Sequence, residues 1–111
     1  MSKHQTYISN ATRRFTQAAV ERHIRKKHPG CPDFAVIYIA ERIASRDWEG
    51  MSLGGAVGTT MQGIMRHTMT EYDALLLAGV DRLEARKGVQ PKVNALLATW
   101  TKRRGKPPVG P

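Results

Sequence analysis

Basic side chains recur at helical spacing near the start of the chain, and they carry its clearest candidate chemistry. Arg14, Arg22 and Arg25 are spaced so that three guanidinium groups would share one face of a helix. Lys26 flanks that face, and Lys27 adds a further basic residue. Such a stripe neutralises nucleic-acid phosphates and releases counterions, which gives salt-dependent binding with little sequence selectivity. The alternative is an ordinary solvated helix face.

A second basic segment, free of acidic residues, lies at the other end of the chain. It can act as an arm that follows a groove of nucleic acid, or as a tail that keeps the protein in solution. We assign nucleic-acid contact there to Lys102, Arg103 and Arg104.

The densest polar cluster is Arg66, His67, Tyr72 and Asp73. In a catalytic interpretation, His67 transfers protons, tuned by Asp73 and assisted by Tyr72. In a structural interpretation, His67 caps the carbonyl end of one helix and Asp73 stabilises the start of the next. Because no nucleophile is identifiable, we expect the structural role, or contact of Arg66 and His67 with a phosphate or partner, rather than catalysis.

Two aromatic residues, Phe34 and Tyr38, stand one helical turn apart on the polar side of a predicted helix. Aromatic rings in such a position can stack on unpaired bases. Pairs of this kind are more often buried against a neighbouring helix, and we expect burial here.

Cys31 is the single cysteine and lies near a predicted helix start with basic neighbours, which can lower the pKa of a thiol. The commoner role is a small packed apolar side chain. His28, Cys31 and His67 lack the fourth ligand and the spacing of a zinc site. We therefore predict no metal and no other cofactor.

The segment Gly55-Ala56-Val57-Gly58 has the form of the Gly-x-x-Gly clamp of single-strand-binding KH domains. It lacks internal basic residues and the Gly-Lys-Ser/Thr ending of a phosphate-binding loop. We expect a flexible turn that opens the third helix. A helix-turn-helix around residues 67–70 is a further option, but the first helix is the better candidate for a major groove.

The spacing of apolar residues predicts about five helices in a compact bundle, so the fold class is all-α. The first helix runs from about Ser9 or Asn10 to His28, and Gly30 stops it. Pro32 opens the second. Its buried face contains Val36, Ile39, Ala40 and Ile43.

Three further helices complete the predicted bundle. Thr70 caps a short fourth helix, which Gly79 ends, and Asp81 opens the last helix with capping-box spacing. Gly88 is expected to interrupt that helix, with Pro91 in the first turn of a restart. Its apolar stripe contains Val89, Val93, Leu96, Leu97 and Trp100.

Charge is sorted along the 111 residues, whose formal net charge is +9. Residues 1–30 contain seven basic residues and one acidic residue. Residues 31–90 contain six basic and eight acidic residues, and residues 91–111 contain five basic residues and no acidic residue. A near-neutral body between two cationic ends indicates a polyanionic partner. Nucleic acid is the first choice and an anionic membrane surface the second.

The overall composition is that of one domain with a modest core. No apolar run approaches the roughly 18–20 residues of a membrane span, and the first residues lack the apolar stretch of a signal peptide. One cysteine excludes an internal disulfide, so we predict a cytoplasmic protein in a reducing environment. The predicted segments are a flexible N-terminus (1–8), a helical domain (9–101) and a flexible basic tail (102–111).

A series of short motifs runs through most of the chain. They are His28-Pro29-x-Cys31-Pro32, Ile39-Ala40, Gly55-x-Val57-Gly58, Arg66-His67-x-x-Thr70-x-Tyr72-Asp73-x-Leu75-Leu76, Gly79-x-x-Arg82-x-x-Ala85-Arg86 and Trp100. Together they resemble the bacterial and fungal domain of unknown function 2293 family, from roughly Ile24 to Trp100. The resemblance supports the fold and implies no established activity. Where the family's glycine segment carries arginines, this chain has Ala56 and Thr59, so if those arginines serve the family's activity, this member has lost them at that loop.

The sequence therefore predicts a small basic helical protein, not an enzyme, that binds DNA or RNA through backbone phosphates. One alternative is a protein-interaction module, an adaptor or inhibitor, whose Phe34, Tyr38 and basic residues dock on an acidic surface or a nucleoprotein complex. The other alternative is an enzyme centred on His67, with Tyr72 and Asp73.

Overall fold

Five helices and a two-stranded ribbon make up residues 12–102, the part of the chain that this computed structural model describes. The elements are β1 (Thr12–Arg13), α1 (Gln17–Lys27), α2 (Asp33–Ala44), β2 (Trp48–Glu49), α3 (Leu53–Met69), α4 (Tyr72–Leu77) and α5 (Arg82–Thr101). The all-α class and the number of helices are confirmed. The predicted N-terminal extension (1–8) and all of the basic tail after Lys102 lie outside the described residues.

The start of α1 differs from the prediction. The residues before the helix form β1, which pairs antiparallel with β2, so the predicted start at Ser9 or Asn10 is wrong. Thr16 caps α1, because its hydroxyl oxygen accepts a hydrogen bond from the backbone N–H of Ala19 at 3.1 Å. Apolar residues in this segment do not repeat clearly at helical spacing. The start of the helix is therefore set by the Thr16 cap and by the pairing of β1 with β2.

The first of two cores lies between α1, α2 and the first half of α3. α1 contributes Val20 and Ile24, which lie one turn apart and are fully buried. The buried face predicted for α2 is confirmed, since Val36, Ile39, Ala40 and Ile43 are at most 1% exposed. Trp48 of β2 closes this core, and its indole N–H donates to the carbonyl of Ile43 at 2.9 Å.

The glycine segment lies inside α3 and is not a turn. Ser52 caps this helix by accepting a hydrogen bond from the N–H of Gly55 at 3.0 Å, and Ala56 and Val57 are fully buried behind the cap. The predicted flexible opening is therefore wrong. The KH-type interpretation fails with it, because that clamp is a loop between two helices.

Tight caps join α3, α4 and α5. Thr70 ends α3, and Glu71 rather than Thr70 is the N-cap of α4. Gly79 ends α4 as predicted, with a φ of 93° that favours glycine. Asp81 caps α5 by accepting from the N–H of Leu83 at 3.0 Å. These short connections keep the last three helices in contact.

α5 is continuous, although an interruption at Gly88 and a restart at Pro91 were expected. Val89 and Val93 flank Pro91 and are at most 1% exposed, whereas Gly88 and Pro91 are exposed. Burial of this stripe outweighs the roughly 3 kcal/mol cost of a proline inside a helix. The stripe forms a second core with Met65, Tyr72 and Ala85.

The two cores meet at the end of α5, where Leu97 and Trp100 pack against both. There the N–H of Gly30 donates to the carbonyl of Trp100 at 2.8 Å. A Cβ atom at position 30 would lie 2.5 Å from the carbonyl oxygen of Thr99 and would also strike that of Lys102. The α1–α2 loop thus touches α5 backbone to backbone, which requires glycine.

We expect Gly30→Ala to lower the free energy of unfolding by about 1–3 kcal/mol, the usual cost of forcing extra atoms into a packed site. The added methyl group must displace the last turn of α5. Gly88→Ala is the matched control, because a Cβ there meets nothing within 4 Å, and it should stabilise the helix by up to about 1 kcal/mol. Urea denaturation measures both, and an unchanged stability of Gly30→Ala would contradict the contact.

Candidate nucleic-acid interface

Helix α1 presents several basic side chains to solvent. Its exposed basic residues are Arg22, Arg25, Lys26 and Lys27. The guanidinium of Arg25 lies 2.8 Å from the carboxylate of Asp33 and 4.0 Å from that of Glu21. The hydrogen bond to Asp33 raises the pKa of Arg25, so its charge is retained. The other three form no ion pair with any residue of the described range.

Arg14 does not belong to this face. It precedes α1, and its guanidinium contacts the carboxylate of Asp47 at 2.9 Å beside the ribbon. The 11 residues of α1 make a helix about 16 Å long, and Arg14 and Lys27 lie at its opposite ends. The predicted common face of Arg14, Arg22 and Arg25 is therefore wrong, because the helical spacing was counted through residues that are not helical.

Lys102 lies beside the α1–α2 loop. Its carbonyl oxygen approaches Gly30, which follows Lys27 by only three residues. The end of α5 and the cationic end of α1 therefore meet at one end of the bundle. Arg103 and Arg104, also predicted to contact nucleic acid, lie outside the described residues.

Two histidines near this cationic end favour their neutral forms. Burial lowers the pKa of His23, and the positive charges of Lys27 and Lys26 lower it further. Burial also lowers the pKa of His28, with a smaller contribution from His23. Protonating either ring would add positive charge where positive charge is already concentrated.

An open groove of about 900 Å³ is lined by one side of α2 and one side of α3. Phe34 and Tyr38 border it, with 77% and 52% of their surface exposed, so the predicted burial of this pair is wrong. The inner face of α2 is already filled by its aliphatic residues. Apolar side chains that line the groove include Ile39, Trp48, Met51 and Ile64.

Two arginines give the groove a cationic edge. Arg42 follows Tyr38 by one turn of α2, and the guanidinium carbon of Arg46 lies 4.1 Å from the ring centroid of Trp48. Glu49 is the single acid among the described residues that line the groove. Sequence reasoning missed both arginines, although the four-residue spacing of Phe34 and Tyr38 continues to Arg42.

The polar cluster that includes His67 forms the α3–α4 junction. Nδ1 of His67 lies 2.7 Å from a carboxylate oxygen of Asp73, and the His67 and Tyr72 rings are nearly perpendicular, with 5.2 Å between their centroids. The Thr70 hydroxyl donates to the carbonyl of Arg66 at 2.6 Å and accepts from the N–H of Tyr72 at 3.1 Å. The Arg66 guanidinium lies 5.8 Å from the Tyr72 ring centroid. These contacts hold two helices together, and His67 also lines the groove.

Cys31 is buried in the first core, with 5% of its surface exposed. Burial raises the pKa of its thiol to about 11, the opposite of an activated cysteine. Cys31 is therefore a packed core residue and not a reactive thiol.

Residues 12–102 contain no group of three or more His, Cys, Asp or Glu side chains that could hold a metal ion. Nor does that range contain a helix both long and apolar enough to cross a membrane.

The family model described as uncharacterized conserved protein (DUF2293) matches residues 23–101. The chain belongs to this family. The match confirms the resemblance expected from about Ile24 to Trp100, and no curated protein or solved structure matches the chain. The DUF2293 region contains the whole groove and the Gly30 contact, whereas Arg14, Arg22 and Lys102 lie outside it.

We expect this DUF2293 protein to lose stability as the pH falls from about 7.5 to about 5.5. In the unfolded chain the imidazoles titrate near 6.5, whereas folded His23 and His28 have lower pKa values. The unfolded state therefore binds more protons below neutral pH. Their contribution to stability is complete above about pH 7.5, where both states are unprotonated, and decreases as the pH falls through the unfolded-state and then the folded-state pKa values.

Thermal unfolding across this pH interval measures the effect. The double variant His23→Gln/His28→Gln should show a flatter dependence of its midpoint on pH, because both titrating groups are removed. An identical slope for the two proteins would contradict the assignment.

Proposed function

We propose that this protein binds nucleic acid through backbone phosphates, in the cytoplasm, at one end of its helical bundle. We call this surface the cationic end and define it by Arg22, Lys26, Lys27 and Lys102. The observation that carries the proposal is the Gly30 contact, which brings Lys102 beside the loop that follows Lys27. The backbone of Lys102 is thereby brought next to the loop that follows the basic residues of α1.

The charges of the cationic end are available to a ligand. Arg22, Lys26 and Lys27 are exposed and have no carboxylate partner within the described range. Lysine and arginine in this arrangement attract any phosphate backbone and carry no base-specific information. A surface of this kind supports binding of mixed sequences.

Arg25 and Arg14 differ in how much of their charge a ligand can reach. Arg25 shares its charge with Asp33, but exposed ion pairs are worth at most about 1 kcal/mol, so a phosphate can displace the carboxylate. Arg14 is not part of the cationic end, because it lies at the other end of α1 and pairs with Asp47. Arg103 and Arg104 follow Lys102 directly in sequence and extend the same run of charge.

The double charge reversal Lys26→Glu/Lys27→Glu should weaken binding of a labelled mixed-sequence oligonucleotide by roughly tenfold or more at low salt, because attraction to the phosphates becomes repulsion. It should also reduce the slope of log affinity against log salt concentration by about 0.7–0.9 for each phosphate that the variant no longer neutralises. Fluorescence anisotropy at several salt concentrations measures both quantities.

Lys87→Glu/Lys92→Glu is the matched control. Both lysines are exposed on α5 and lie about 15–22 Å along that helix from Lys102, and the change in net charge is the same. The control should retain most of the affinity. Equal decreases in affinity for the two variants, or no binding by the natural protein at low salt, would contradict the proposed function.

A further inference from the structure

We infer that the groove along α2 and α3 accepts unpaired bases, so that the protein prefers single-stranded nucleic acid to duplex. This inference rests on the proposed function and specifies its ligand. We call the site the aromatic groove and define it by Phe34, Tyr38, Arg42, Arg46 and Trp48.

Exposed rings are the first reason. Phe34 and Tyr38 keep 77% and 52% of their surface exposed, one turn apart on α2. Four residues of helix rise by about 6 Å, so two rings at this spacing can each receive a base from neighbouring nucleotides of an extended strand. Large apolar side chains left exposed beside a concave surface indicate a binding site.

The charge of the aromatic groove is the second reason. Arg42 and Arg46 line it together with one acid, Glu49, so an anionic ligand is favoured. The guanidinium of Arg46 already stacks on Trp48, with 4.1 Å between its carbon and the ring centroid. Flat aromatic bases carried on an anionic backbone match this combination of rings and cations.

Continuity of the groove with the cationic end is the third reason. Trp100 lines the groove, and its carbonyl accepts the hydrogen bond from Gly30. Phe34 directly follows Asp33, the partner of Arg25. A strand whose phosphates contact the cationic end therefore reaches the aromatic groove without leaving the surface.

The duplex cannot use the aromatic groove, because its bases are paired and stacked inside the helix. It retains contact with the cationic end alone. The groove volume of about 900 Å³ is at the upper end of the range for small-molecule pockets, which suits a few bases. The preference for single strands therefore comes from the groove, and the shared affinity for phosphate comes from the cationic end.

The test compares fluorescein-labelled oligothymidylate and oligouridylate, each 12 nucleotides long, with a 12-base-pair duplex. The natural protein should bind one or both single strands at least about tenfold more tightly than the duplex. Phe34→Ala/Tyr38→Ala should weaken single-strand binding by about 10- to 100-fold and leave duplex binding unchanged. Lys26→Glu/Lys27→Glu should weaken both.

Leu77→Ala/Leu83→Ala is the matched control, because it also removes two exposed apolar side chains (90% and 59% exposed) outside the groove. It should bind like the natural protein. Since Phe34 and Tyr38 are exposed, their replacement should leave the fold intact, which circular dichroism checks. Quenching of Trp48 and Trp100 fluorescence by unlabelled oligothymidylate gives a second measurement at the groove.

Each outcome separates the two claims. If Phe34→Ala/Tyr38→Ala binds single strands as tightly as the natural protein while Lys26→Glu/Lys27→Glu does not, the groove inference is overturned and the proposed function stands. If neither single strand nor duplex binds the natural protein, both claims fall. If an acidic amphipathic peptide binds in a Phe34- and Tyr38-dependent way and single strands do not, the groove belongs to a protein partner and the inference is overturned.

Discussion

The backbone contact between Gly30 and the last turn of α5 is the constraint on which the rest of the structure depends. α1 and α2 build one core and α4 and α5 build another, and α3 contributes to both. The hydrogen bond from Gly30 to Trp100 fixes the end of α5 against the first core, where Trp100 and Leu97 complete the packing. The same contact also positions parts of the proposed binding surface. It brings the backbone of Lys102 beside the loop that follows α1, and Trp100 lines the groove.

Charge availability on this surface follows from local geometry rather than from net charge. A cation contributes its full charge to polyanion binding when no carboxylate holds it and when it faces the same way as its neighbours. Arg14 fails both conditions, and Arg25 meets the second while sharing its charge with Asp33. Arg22 and Lys26 meet both, because they lie four residues apart on the exposed side of α1. A formal charge of +9 therefore overstates the charge that one ligand can contact.

Elements with a strong apolar period could be predicted from sequence, and elements set by tertiary contacts could not. The buried face of α2 and the stripe of α5 were visible because each repeats at helical spacing. The ribbon had no local signal, since each strand has only two residues and pairs with a distant segment. The continuity of α5 through Pro91 depends on burial of Val89 and Val93, which a local rule for proline ignores. At the site, residue types alone were enough to predict the basic residues of α1. The exposure of Phe34 and Tyr38 could not be predicted, because it depends on whether another helix covers that side of α2, and none of the described helices does.

The most direct test of a surface shared by the cationic end and the aromatic groove is an NMR titration of the isotope-labelled protein with unlabelled oligothymidylate. The account predicts that amide signals of Lys26, Lys27 and Lys102 shift together with those of Phe34 and Tyr38, along one binding curve. Shifts confined to α4 and the first half of α5, or separate curves for the two regions, would contradict it.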